Sequence, residues 1–252
     1  MAIKKGNILN PPTGAAKKIV KEVRALTRLM IGHYEFGLQQ LFSGVPDAQS
    51  ANAILSNLSD KFDSEFTFAG KKCAGDIVEV ASVASEVQLR LSLKEGAEFL
   101  TLPTTNIPRD MFAALTQENA ELFKTIPEKF HDAVQSAVMQ SIVEGKGYKD
   151  LKPFFELHSD GTLNYAHLRT MDQTRKAFNT LSAERMKALG IEEFEWMHSG
   201  GSAHPRKLHQ DLNGKIFRFD NLPFLGVMYG LDVYGLPGKM INCRCRMRPI
   251  IL

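Results

Sequence analysis

Apolar side chains recur at helical spacing through most of the first 145 residues, and this pattern constrains the fold more than any other feature. Over residues 15–41 they return every three or four positions, which is typical of an amphipathic helix. The same pattern returns in later stretches, at 47–62, 71–93, 109–126 and 128–145. Pro127, with Thr125 and Glu128 around it, fits the first turn of a new helix. We therefore predict an antiparallel array of helices over residues 13–147.

Composition and termini set limits on the class of protein. Residues 1–12 contain Gly6, Asn10 and two prolines, so we predict a flexible arm there. No run of about eighteen apolar residues occurs, so we expect no membrane span. A net charge of +3 does not by itself indicate binding to nucleic acid. Three cysteines do not make a disulfide framework, and an intracellular origin fits best.

The pattern changes after Gly190, where short extended segments follow the last long helix. We predict a helical turn at 148–155, a helix over 162–189, and strands at 194–198, 215–219 and 242–249. Glycines and prolines make residues 221–238 mostly loop. The predicted fold class is α+β, with a mostly helical N-terminal region followed by a small C-terminal α+β module with a short antiparallel sheet, residues 148–252.

Arginines and cysteines alternate in the last predicted strand, and alternate side chains of a strand point to opposite faces. Arg244, Arg246 and Arg248 share one face. They either keep an edge strand soluble or bind phosphates or carboxylates of DNA or a partner protein.

The opposite face carries Cys243 and Cys245. In one interpretation they are small buried core residues. In another they are ligands of a structural zinc ion, completed by His204 and His209, or by His198. A redox or disulfide role is the third interpretation, and a disulfide between alternate residues of one strand would be strained.

A second polar group contains His204, Arg206, His209 and Asp211. An imidazole near a carboxylate can act as a general base, and arginine can hold a phosphate. No nucleophile in a recognised elbow and no glycine-rich phosphate loop accompanies them, so we expect a polar network that fixes a loop. The alternative is an enzyme that acts on nucleic acid or nucleotides through these four residues.

One clearly basic stretch lies at the start of the first predicted helix. Its residues include Lys17, Lys18, Lys21 and Arg24, within a basic segment that spans residues 4–28. They form either a solvated helix face or a docking surface for DNA or an acidic partner protein.

Several short motifs follow one another over residues 148–252, and in this order they resemble the C-terminal domain of phage Mu protein F-like minor head proteins, the phage head morphogenesis family. They are an Arg-x-x-Asp-Gln-Thr helix core, an aromatic strand, an Arg-x-x-His-x-x-x-x-Gly segment and a final Pro-Gly-x-x-Ile-Asn-Cys-Arg-Cys segment. The residues that carry the resemblance are Arg169, Asp172, Gln173, Trp196, Arg206, His209, Gly214, Cys243, Arg244 and Cys245.

The resemblance implies a non-enzymatic minor component of a tailed-phage head. Such proteins associate with the portal protein and with capsid or scaffold proteins, and some contact or leave with the packaged double-stranded DNA. Their expected location is the virion, in the head interior or portal region, after assembly in the host cytoplasm. We expect the motif residues to be structural, with no cofactor other than the zinc ion considered above.

Overall fold

The computed structural model describes residues 4–94, 106–200 and 204–251. The α+β fold class is confirmed. The helices are α1 Thr13–Leu41, α2 Ala48–Lys94, α3 Arg109–Val143, α4 Tyr148–Ala188 and the short α5 Lys207–Asp211. The strands are β1 Lys4–Lys5, β2 Glu193–Met197, β3 Ile216–Arg218, β4 Phe224–Met228, β5 Leu231–Tyr234 and β6 Arg246–Ile251.

Three of the helices are longer than predicted because the expected breaks lie inside them. The gap between the predicted helical stretches 47–62 and 71–93 is also helical, since Phe66 is buried and continues the apolar face of α2. Pro127 lies within α3, and the Thr125 hydroxyl donates to the Leu122 carbonyl at 2.7 Å instead of capping a new helix. Pro153 likewise lies within α4, which joins the predicted turn and helix into one element.

The larger sheet has the strand order β1-β6-β2-β3, and all of its neighbours are antiparallel. β6 is therefore an inner strand, so the prediction of an edge strand that its arginines keep soluble is wrong. Arg248 instead contacts the buried carboxylate of Glu195 on β2 at 3.1 Å, and Lys5 on β1 contacts the same carboxylate at 3.0 Å. Arg246 donates to the side chain of Asn10.

Residues 4–10 are held by β6, which corrects the prediction of a flexible arm for this segment. Lys4 and Lys5 pair with Ile251 and Ile250. After β1, the Gly6 N–H donates to the Pro249 carbonyl at 3.0 Å, and the Leu9 N–H to the Met247 carbonyl at 2.9 Å. Leu9 is fully buried. The sequence signal failed because the segment is ordered by a partner about 240 residues away.

A two-stranded hairpin of β4 and β5 occupies part of the segment that we predicted to be mostly loop. Tyr229 and Gly230 form its turn with φ of +52° and +78°. Positive φ at both central residues is typical of a type I′ hairpin turn. Asn-Gly is the usual sequence signal for this turn, and Tyr-Gly is not. Its apolar side chains Val227, Tyr229 and Leu231 are exposed.

The described residues fall into two compact units. One unit takes its residues from 1–16, 77–115 and 171–252 and contains both sheets and α5. The other takes its residues from 17–76 and 116–170 and is helical. Residues 147 and 148, between which we predicted a domain boundary, both lie in the helical unit. The division of the sequence into domains at this point stays a prediction.

The helical unit has an aromatic core. The rings of Tyr34 and Phe130 meet edge to face at 5.2 Å, and Phe130 meets Phe155 in the same way at 5.8 Å. The Tyr34 hydroxyl lies 3.0 Å from Nδ1 of His131, so its polar end has a partner. Among the described residues, no helix carries an apolar stretch of the length and hydropathy that a membrane crossing needs.

Candidate functional site

Asp172 of α4 holds the segment that precedes β6. Its buried carboxylate accepts the backbone N–H of Asn242 at 2.7 Å. Asn242 has φ of +58°, a left-handed conformation that asparagine tolerates better than most side chains. The Asp-Gln-Thr motif of the helix and the Ile-Asn-Cys motif of the terminus are thus two halves of one contact.

Gly238, of the Pro-Gly pair, lies against the same helix. A Cβ atom there would stand 2.8 Å from Nδ2 of Asn179 and 3.5 Å from the carbonyl oxygen of Arg175. Asn179 Nδ2 also lies 3.5 Å from the carbonyl oxygen of Cys245. Close approach of the backbone to α4 therefore requires glycine at position 238.

Two of the motif segments meet in a buried cluster of His209, Cys243 and Cys245. Nδ1 of His209, on α5, lies 3.5 Å from Sγ of Cys243 and 3.8 Å from Sγ of Cys245. The three side chains are 2%, 3% and 4% exposed, respectively, and neither cysteine is in a disulfide. The fully buried ring of Trp196 on β2 meets the His209 ring edge to face at 5.4 Å. Cys243 and Cys245 precede β6, so the strand predicted from residue 242 begins later.

The two thiols perturb each other. A hydrogen bond from Cys245 lowers the pKa of the Cys243 thiol, and contacts with His209 and with the backbone amides of Cys245 and Gly238 act in the same direction against the effect of burial. The same contact with Cys243, followed by burial, raises the pKa of the Cys245 thiol.

A small pocket of about 30 Å³ lies beside the sulfurs, and His198, His204 and Arg244 are among the residues that line it. The structure gathers three of the four predicted zinc ligands, because only His209, Cys243 and Cys245 have ligand atoms within 4.8 Å of one another. His204 lines the pocket without joining that group among the described residues.

Three of the four residues of the alternative enzyme site, His204, Arg206 and His209, line this pocket, and Asp211 is not among its lining residues. Asp211 is exposed, whereas His209 is buried with Nδ1 towards the two sulfurs. Arg206 donates to the carbonyl oxygen of Ile241 at 3.0 Å, which fixes the loop before the cysteines. His204 is exposed at the pocket.

Other motif residues also have structural surroundings. Gly214 has φ of +77°, and its N–H donates to the Trp196 carbonyl at 2.8 Å. Gln173 is buried on α4, and the guanidinium of Arg169 lies 4.9 Å from the ring centre of Tyr165.

The predicted contact residues differ in exposure. Lys17, Lys18 and Lys21 are exposed along α1, whereas Arg24 is half-buried. Arg244 is exposed. The other two arginines of this segment, on β6, already contact side chains of the same unit, as described above.

These contacts define a small α+β module in which motif residues fix loops around a buried cluster of two cysteines and one histidine. The resemblance found in the sequence is confirmed for the C-terminal region: the model of the family described as "Phage Mu protein F like protein" matches residues 132–248. The match begins before Tyr148, within α3. The match covers slightly less than half of the chain.

An uncharacterized protein of Haemophilus influenzae is 27% identical to this chain over 241 residues. The alignment covers 92% of this chain and 52% of that protein, so the chain spans about half the length of this curated relative. No solved structure matches the chain.

Proposed function

We propose that this chain is a minor, capsid-associated head protein of a tailed phage, and that it acts in head morphogenesis by binding the portal protein or the inner capsid surface. The observation that carries the proposal is the family match over residues 132–248. The expected place of action is the virion, in the head interior or the portal region.

The surroundings of the motif residues support this role. Asp172, Arg206 and Gly238 each fix the loop that leads into β6, through the contacts described above. A protein that must present one surface to a large assembly benefits from loops that are held in one conformation, because ordering them on binding would cost affinity.

Contact with packaged DNA is a second part of the proposal, and it rests on α1. Lys17, Lys18 and Lys21 lie exposed on this helix. Lysines that neutralise phosphates release counterions, so binding through them weakens steeply as salt rises.

The experiment that tests the proposal is assembly with and without the chain. The phage that encodes the protein is induced with its gene intact or deleted, and the heads are purified. We expect the intact chain in few copies per head, cross-linked to portal or capsid protein, and a loss of infectious particles from the deletion that the gene in trans restores. Absence of the chain from purified heads, together with undiminished infectivity of the deletion, would contradict the proposal.

Two variants separate the two parts of the proposal. Lys17→Gln/Lys18→Gln/Lys21→Gln should flatten the salt dependence of double-stranded DNA binding by the purified chain while leaving incorporation into heads unchanged. Lys149→Gln/Lys152→Gln, at exposed positions on α4, is the matched control and should leave both unchanged. Equal DNA binding by wild type and the α1 variant would remove the DNA contact from the proposal.

A further inference from the structure

We propose that Cys243, Cys245 and His209 bind one zinc ion, which joins α5 to the segment that precedes β6. The three side chains line one small pocket together with His198 and His204. This inference concerns the architecture of the module and does not depend on the proposed function.

The distances between the three side chains fit tetrahedral zinc. Zinc–sulfur bonds of about 2.3 Å and zinc–nitrogen bonds of about 2.0 Å at a tetrahedral angle place sulfur and nitrogen roughly 3.5 Å apart. Nδ1 of His209 lies 3.5 Å from Sγ of Cys243 and 3.8 Å from Sγ of Cys245. All three ligand atoms lie within 4.8 Å of one another.

The surroundings of the cluster favour a metal over a plain core. His209 is 2% exposed, so its imidazole ring has been removed from water. Its Nδ1 faces two sulfurs, which are weak hydrogen-bond partners for an imidazole that has left water. Coordination of Nδ1 and both sulfurs to zinc would give all three atoms a strong partner. It would also compensate for the removal of the imidazole from water.

The local backbone also fits a metal crosslink. Cys243 and Cys245 lie in the irregular segment 235–245 between β5 and β6, directly after Asn242 with its positive φ. His209 lies on a helix of only five residues. A metal that joins these two short elements would supply folding free energy directly.

The test measures zinc in the purified full chain by mass spectrometry of the metal. We expect about one zinc ion per chain in the wild type and nearly complete loss in Cys243→Ser, Cys245→Ser and His209→Ala. Cys73→Ser is the matched control and should retain the full amount. Cys73 is the remaining cysteine of the chain, buried on α2, where burial raises the pKa of its thiol to about 11.

A second measurement serves in case the site variants fold poorly. The wild type and Cys73→Ser are loaded with cobalt in place of zinc, and their absorption is recorded. We expect the thiolate-to-cobalt charge-transfer band and the d–d bands of tetrahedral cobalt in both proteins. Wild-type protein that contains no zinc as purified and shows neither set of bands on cobalt titration would overturn the proposal, as would loss of the metal from Cys73→Ser alone.

Discussion

Two residues of the terminal segment, Gly238 and Asn242, have left-handed backbone conformations, with φ of +90° and +58°. Each also meets α4, Gly238 at Arg175 and Asn179, and Asn242 at Asp172. The sequence predicts mostly loop over residues 221–238, and the turn at Gly238 ends that segment. The sequence does not reveal that this turn packs on a helix about sixty residues earlier, because a short motif carries no information about its distant partner.

Replacement of Gly238 by alanine should destabilise the protein by roughly 3 kcal/mol, because backbone strain at positive φ adds to a steric overlap. The overlap arises because the new Cβ would stand 2.8 Å from Asn179 Nδ2. Gly230→Ala is the control, since Gly230 has φ of +78° and nothing within 4 Å of the added atom. It should cost only about 1 kcal/mol. Urea unfolding of both variants measures the difference, and equal losses would show that the contact with α4 adds nothing.

At the scale of single residues, the sequence predicted the two cysteines of the buried cluster but not their histidine partner. Alternation along the terminal segment predicts that Cys243 and Cys245 share a face, and both are buried. The sequence offered three histidines as partners, and the structure brings His209 to the sulfurs. The choice among them depends on the position of α5, a five-residue helix without an apolar period long enough to detect.

At the scale of elements, the sequence predicted which segments are helical but not how long each helix is. Gly70 reads as a breaker, but it lies inside α2, where an added Cβ would stand 3.1 Å from Cβ of Phe123. Glycine there permits close packing within the helical unit. Sequence patterns predict helix ends at such glycines and at Pro127, because glycine and proline have low helix propensity. Tertiary packing overrides this local preference at both positions.

The larger sheet has an ion cluster around one buried carboxylate, and this cluster crosses three of its strands. Glu195 on β2 is 5% exposed and receives Lys5 from β1 and Arg248 from β6. Removal of one partner from a buried ion pair leaves the other charge uncompensated. The carboxylate should therefore matter to the sheet more than an exposed ion pair would.

Glu195→Gln should lower the free energy of unfolding by roughly 2 to 3 kcal/mol, because the neutral amide no longer balances two cations. The control is Glu193→Gln, two residues earlier on β2 and only half-buried, for which a change within about 0.5 kcal/mol is expected. Thermal or urea unfolding of the two variants side by side tests the prediction. A loss at Glu193 as large as that at Glu195 would refute it.

At the scale of the whole molecule, the two ends of the described chain meet in one sheet. Residues 4–10 continue along β6 through β1, Gly6 and Leu9. Composition alone made this segment look like an arm, because glycine, asparagine and proline oppose local structure. Pairing with a distant strand supplies the order that local preference lacks.

Leu9→Ala should therefore destabilise the sheet unit by roughly 3 kcal/mol, because it empties a fully buried site. Ile8→Ala, at the neighbouring half-buried position, is the matched control and should cost no more than about 1 kcal/mol. Hydrogen exchange at the amides of β6 measures the local effect. Unchanged exchange in Leu9→Ala would mean that the segment does not support the strand.

The pairing of Lys5 with Ile250 also imposes an order of events during synthesis. The ribosome releases Lys5 early, but its strand partner emerges only after residues 246–251 have been made. Pairing across so long a loop is slow, whereas residues 17–76 and 116–170 find helical partners sooner. The nascent chain therefore carries β1 unpaired while the helical unit folds, and β6 completes the larger sheet when it emerges.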